Sequence, residues 1–363
     1  MIALDAYGDL DQQRLAKSVS LRRDLGLRYT AGTIARVSRR FECDGVVYLS
    51  GLENHPEAVR QLAEGRRLWG NPPEVLRLVR RPEVLAHALR RRGFVVPALG
   101  PTSPVGARSR SHRWLLKPRR SGGGHGIGSW TEGRRVPRSD YVQERISGVP
   151  GSVIFAADGA RAIPIGFSRQ LVGDRSFGVS GFRYAGSILA GATDPQLPEH
   201  DRLYARAVAL AQVVTEEFHL VGVNGLDFIA RDGVPYPLEV NPRYSASMEL
   251  AERAYGLPIF ALHMQSVAGA LPAIDHFALR RTPGAFGKAV VYARRTLVLG
   301  DTAHWLDDDR VRDVPHPGER IGAGQPICTV FASGPDSASC YAGLRAQAAR
   351  IYRELATARR RVA

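Results

Sequence analysis

The sequence predicts a globular α/β protein of several lobes, and three observations lead there. Strand-type and helix-type segments alternate over residues 1–80. A glycine-rich stretch, residues 113–130 (RWLLKPRRSGGGHGIGSW), follows a short apolar run. An acid-decorated hairpin pattern occupies residues 224–243 (NGLDFIARDGVPYPLEVNPR). At 363 residues the chain can bury a substantial core in two or three lobes. Its 44% hydrophobic and 23% charged residues are those of an ordinary globular protein. No stretch is apolar for long enough to span a membrane, and the first residues lack a signal-peptide layout.

In chain order, residues 2–6 read as a strand and 12–25 as a helix. A buried strand is expected at 46–50 and a helix at 57–64, with Asn54 as its cap. A short strand at 68–71 closes this first α/β unit. Residues 83–92 form a helix candidate, and Gly93 and Pro97 bracket a short strand. Residues 101–111, rich in proline, serine and glycine, are expected to be a loop. Trp114, Leu115 and Leu116 form a buried strand running into Lys117. Gly122, Gly123, Gly124 and Gly126 follow; such a run lets backbone N–H groups approach a phosphate, and Lys117 adds a point charge. No Gly-Lys-Ser/Thr closes the run, so it is not a Walker A loop, and no helix pattern follows to make it a Rossmann fingerprint. Alone, it would equally be a flexible surface loop.

Strands are expected at 141–146, 151–155 and 162–172, and an amphipathic helix at 203–218. Arg169 is a candidate contact for phosphates or a substrate carboxylate, and residues 186–191 for an acceptor pocket. In the hairpin, Glu239 and Asn241 are two apart and share a strand face, with Val240 on the other. Asp227 alternates with Leu226 and Phe228. Oxygen ligands grouped in this way suit Mg²⁺, with Mn²⁺ as an alternative, shared with substrate phosphates; the pattern alone would also describe a solvated hairpin. Register decides between them. A two-residue turn at Asp232-Gly233 pairs Arg231 with Val234 and Asp227 with Leu238, which splits both sets. A three-residue connection pairs Asp227 with Glu239, so burial and metal binding both predict the odd connection. Strands at 286–294, 318–321 and 326–331 and a helix at 341–355 complete the chain.

Lys117-Pro118 with the glycine loop, Gln143-Glu144, LDFI and EVNPR, in that order, resemble the ATP-grasp superfamily. The likeness runs from about residue 81 onward, closest to predicted carboligases related to biotin carboxylase. It implies an ATP-grasp fold: an N-terminal α/β domain (1–80, reduced or starting late), a small lobe (81–146), a large lobe (147–272) and a biotin carboxylase-like C-terminal region (273–363). It further implies ATP and Mg²⁺, and ligation of a carboxylate to an amine through an acyl phosphate. By resemblance, Glu144 and the backbone near Ile146 border the base, with Gln143 beside them. Arg243 faces the transferring group, and its planar fork suits an oxyanion. Arg81 stands where relatives carry a phosphate-binding lysine, although it could equally cap its helix.

The net charge of +15 favours anionic small-molecule substrates, such as a glutamyl chain or a pterin-type coenzyme precursor. The arginines are spread along the chain without a nucleic-acid-binding motif. Cys43, Cys328 and Cys340 lack metal or redox spacing and read as reduced thiols of a cytoplasmic protein. A homodimer remains open. Two other functions remain: a bicarbonate-using enzyme with a biotinylated partner, and a non-catalytic nucleotide- or nucleic-acid-binding protein.

Overall fold

The computed structural model describes residues 1–49, 51–100, 114–131, 133–190, 194–197 and 199–360. The loop expected at 101–111 lies outside them. The chain divides into two compact units, one of Asp44–Gln170 and Leu189–Pro283, the other of Met1–Cys43, Leu171–Ile188 and Gly284–Ala363.

The first unit is built on four neighbouring antiparallel strands in the order Val234–Asn241, Val221–Arg231, Val149–Asp158 and Ala162–Val172. One face carries Val153, Phe155, Phe167, Leu226, Phe228 and Val240, all buried. The helix His200–Phe218 covers this face with Leu203, Ala207, Leu210, Val214 and Phe218, the 3.6-residue spacing of a single stripe. Two helices, Pro73–Val79 and Pro82–Arg91, join the same core through Val75, Val79, Leu85 and Leu89. Each opens on proline, whose missing N–H costs nothing in a first turn. A smaller sheet pairs Trp114–Pro118 with Gly128–Ser129 on one side and Asp140–Glu144 on the other, both antiparallel.

The second unit corrects the expected helix at 12–25. The helix spans only Leu10–Leu15, and Lys17–Ser20 is a strand lying parallel to Ile2–Asp5. Ala16 is already extended, and Ser20, fully buried, bonds through its hydroxyl to the Ala6 carbonyl at 2.9 Å. Sheet pairing and burial therefore override a pattern that read as amphipathic helix. Residues 184–189 also form a strand, with Ser187, Ile188 and Leu189 buried, so this part of the 186–191 stretch is sheet interior. The long helix Ser337–Arg360 buries Cys340, Leu344, Ala348 and Ile351. It lies close enough to the strand Ala285–Tyr292 that a Cβ on Gly287 would stand 2.7 Å from Cys340 Sγ. Among the described residues no helix is long and apolar enough to cross a membrane.

Candidate active site

The acidic hairpin reaches the expected pairing by an unexpected route. Arg231 pairs with Val234 across a two-residue turn, and Asp227 still opposes Glu239. Asp232 and Gly233 both have positive φ, 52° and 67°, as a tight hairpin turn requires. The odd residue is absorbed by a bulge between Asp227 and Phe228, which places Phe228 opposite Pro237 and leaves Leu238 out of the pairing. The expected three-residue connection is thus corrected. Leu238 lines a cleft.

Asp227 sits in a frame of donors. Gln170 Nε2 donates to one carboxylate oxygen at 2.9 Å and Asn241 Nδ2 to the other at 3.0 Å. Burial, and then the Glu239 carboxylate opposite, push the Asp227 carboxyl up to about 6. Two carboxylates thus face one another across the hairpin with an amide beside them. Glu239 is held on its far side by Arg80, whose Nη1 donates to Oε2 at 3.0 Å and to the Val240 carbonyl at 2.8 Å.

Lys117 is buried and donates from Nζ to Gln143 Oε1 at 2.9 Å, with Tyr141 alongside. The glycine loop needs its glycines for different reasons. Gly123 and Gly124 adopt positive φ, and a Cβ on Gly126 would stand 2.8 Å from Pro118. Arg80, Lys117, Ser121, Gly122, Gly124 and Glu239 line one cleft. Its free volume is about 50 Å³, far below the roughly 300 Å³ of a small-molecule pocket. Arg80 Nη2 also donates to the Ser121 carbonyl at 3.3 Å, fastening the glycine loop over the hairpin.

Other expected residues lie elsewhere. Glu144 accepts from the Ala98 N–H through Oε2 at 3.1 Å, and neither it nor Ile146 lines the cleft. Arg81 is exposed at the N-cap of Pro82–Arg91, and it is Arg80 that turns into the cleft. Arg169 and Gln170 point to opposite faces by strand alternation. Gln170 reaches Asp227, whereas Arg169 lies buried in an ion pair, Nε to Asp194 Oδ2 at 2.8 Å.

Arg243 is buried and bonded to Glu53, which enters from the short turn Leu52–Asn54. Burial pushes the Glu53 carboxyl up, but Arg243 and then Arg80 more than offset this and hold it below the usual range. Asn54, expected as a helix cap, accepts from Arg80 at 3.0 Å. The fully buried Asn71 donates to the Pro242 carbonyl at 3.0 Å, to Asn224 Oδ1 at 2.9 Å and to the Val221 carbonyl at 3.1 Å. Tyr48 contacts the same Pro242 carbonyl at 3.2 Å. Sequence reasoning missed Glu53, Asn71, Arg80 and Gln170; for Arg80 the available signal was the Arg80-Arg81-Pro82 junction between two helices.

A small sheet with a glycine loop, beside an antiparallel sheet that ends in a carboxylate-bearing hairpin, defines a class. Residues 84–247 match the family model described as an ATP-grasp domain. Over 329 residues it is 27% identical to the large chain of carbamoyl phosphate synthase from Beutenbergia cavernae, covering 82% of this chain and 29% of that one. Over 145 residues it is 26% identical to an uncharacterized protein of Methanocaldococcus jannaschii, covering 40% and 35%. The chain thus spans about a third of the length of these curated relatives. Biotin carboxylase of Campylobacter jejuni, solved as a β,γ-ATP complex, superposes with a TM-score of 0.68 at 14% identity over 94% of this chain and 83% of that one. For the L-amino acid ligase of Bacillus licheniformis the TM-score is 0.63 at 14% identity over 98% and 97%. The biotin carboxylase domain of Hydrogenobacter thermophilus 2-oxoglutarate carboxylase, solved with MgADP, ADP and bicarbonate, gives 0.66 at 16% identity over 92% and 81%. At such identities the likeness establishes the fold.

Proposed function

We propose that this chain is an ATP-dependent ligase that joins a carboxylate to an amine and releases ADP and phosphate. The observation that carries the reading is the Asp227–Glu239 pair, two carboxylates opposed across a hairpin that flanks a lysine- and glycine-lined cleft. Like charges so placed, with one carboxyl pushed up to about 6, fit a divalent cation that would relieve their repulsion. Asp227, Glu239 and Asn241 would hold Mg²⁺, which supplies charge neutralisation at phosphate oxygens. Lys117 and the glycine loop would hold the phosphates of ATP, and Arg243 would offset the charge that develops on the transferring group. A substrate carboxylate oxygen attacks the γ-phosphorus and ADP leaves; an amine then attacks the acyl carbon and phosphate leaves. The glycine loop would lift to admit the nucleotide to this narrow cleft. Settling back, the loop would shield the acyl phosphate from water. Three cysteines free of disulfides support a cytoplasmic setting.

The deciding experiment measures ADP release against a panel of carboxylic acids, amines and bicarbonate. Release that requires both a carboxylic acid and an amine, with no AMP, supports the ligase. Release that requires bicarbonate alone replaces it with a biotin carboxylase-like activity. No ADP release, together with steeply salt-dependent nucleic-acid binding, would favour a binding protein.

A further inference from the structure

Arg243 is held in an incomplete fork. Its Nη2 donates to Glu53 Oε1 at 2.8 Å and lies 3.5 Å from Asn241 Oδ1, while Nη1 donates to the Tyr244 carbonyl at 2.9 Å. Glu53 is 1% exposed and Arg243 8%. An arginine–carboxylate pair is commonly bidentate, yet here Glu53 Oε2 and Arg243 Nε are buried with no partner among the described residues. The same short turn holds the second arginine, because Asn54 Oδ1 accepts from Arg80 Nε at 3.2 Å and Nη2 at 3.0 Å. One turn, Leu52–Asn54, therefore anchors both guanidinium groups that border the acidic hairpin.

We propose that Glu53 is a positioning residue, which fixes the orientation of Arg243 and offsets its charge. This rests on the reading of Arg243 as the contact for the transferring group. Without Glu53, Arg243 would lose the carboxylate that offsets its charge and would bind anions more tightly and release them more slowly. With Glu53 present, Arg243 is oriented without becoming a trap for the departing phosphate. Glu53 acts through Arg243 and needs no contact with substrate.

The test compares the full chain with Glu53→Gln and Glu53→Asp, using inorganic phosphate as the probe on MgADP-loaded protein. Glu53→Gln is expected to bind phosphate at least about threefold more tightly and to turn over at least about tenfold more slowly, with KM for ATP within about threefold of the parent. Glu53→Asp keeps the charge on a shorter stem. It should restore phosphate affinity but not full turnover. Phosphate affinity that is unchanged or weaker in a folded Glu53→Gln overturns the proposal. If that variant does not fold, Glu53→Asp decides, and parental turnover there overturns it. Failure of the parent to release ADP with any substrate is a separate outcome, which removes the ligase reading while phosphate binding still judges Glu53.

Discussion

Two buried arginines in the same unit are each paired with a buried carboxylate, and they differ in what surrounds the pair. Arg169 gives Nε to Asp194 on the face that also carries Phe167 and the core. Arg243 gives Nη2 to Glu53 beside Asn241 and keeps Nε unengaged. Burial and charge are alike in the two pairs. What separates them is the neighbourhood: Arg169 completes the interior beside Phe167, whereas Arg243 stands against Asn241 of the acidic hairpin.

The comparison can be broken at its acidic end first. Glu239→Gln should lower ADP release by about two to three orders of magnitude while circular dichroism stays unchanged; near-parental release would remove Glu239 from the site. Arg169→Met should act on stability, costing about 3–5 kcal/mol by removing the buried charge partner of Asp194. Denaturant unfolding measures this, and turnover per folded molecule should hold. A large loss of turnover with intact stability would place Arg169 with Arg243 after all. Lys117→Ala should weaken nucleotide binding by about tenfold or more. Arg119→Ala should do so much less, because Arg119 is already paired with Glu83 at 2.6 Å. Calorimetry on both would expose a generic basic patch if the effects were equal.

The last test concerns Asp227. Its carboxyl rises to about 6 on folding, through burial and Glu239. Its stabilising contribution is therefore full below about pH 4 and is lost as pH rises through about 6. In metal-free buffer, Asp227→Asn should flatten the fall in stability between pH 4 and 7 by about 1–3 kcal/mol. An unaltered slope would assign the fall to other groups.

Much of this arrangement was legible because it rests on alternation. Glu239 and Asn241 two apart, and Leu226 and Phe228 around Asp227, fixed which faces had to meet. The position of the extra residue was not legible: a bulge at Asp227/Phe228 and a longer turn satisfy the same pattern. Strand alternation also separates Arg169 from Gln170, but an ionisable residue draws attention and an amide does not. Glu53 and Asn71 lie far from the hairpin in sequence, and no local periodicity links them to it. At residues 17–20, four residues of weak preference became a strand through pairing with Ile2–Asp5, a tertiary effect that local propensity cannot report.

The bonds from Tyr48 and Asn71 to the Pro242 carbonyl bear on how this architecture can be cut and recombined. Pro242 lies between Asn241 and Arg243, so the backbone that carries both side chains is fastened to residues upstream of the matched segment 84–247. The matched segment by itself lacks both of these anchors. A chimera joining it to a foreign N-terminal half would inherit the acidic hairpin but lose its moorings, unless the donor supplied an equivalent tyrosine and asparagine.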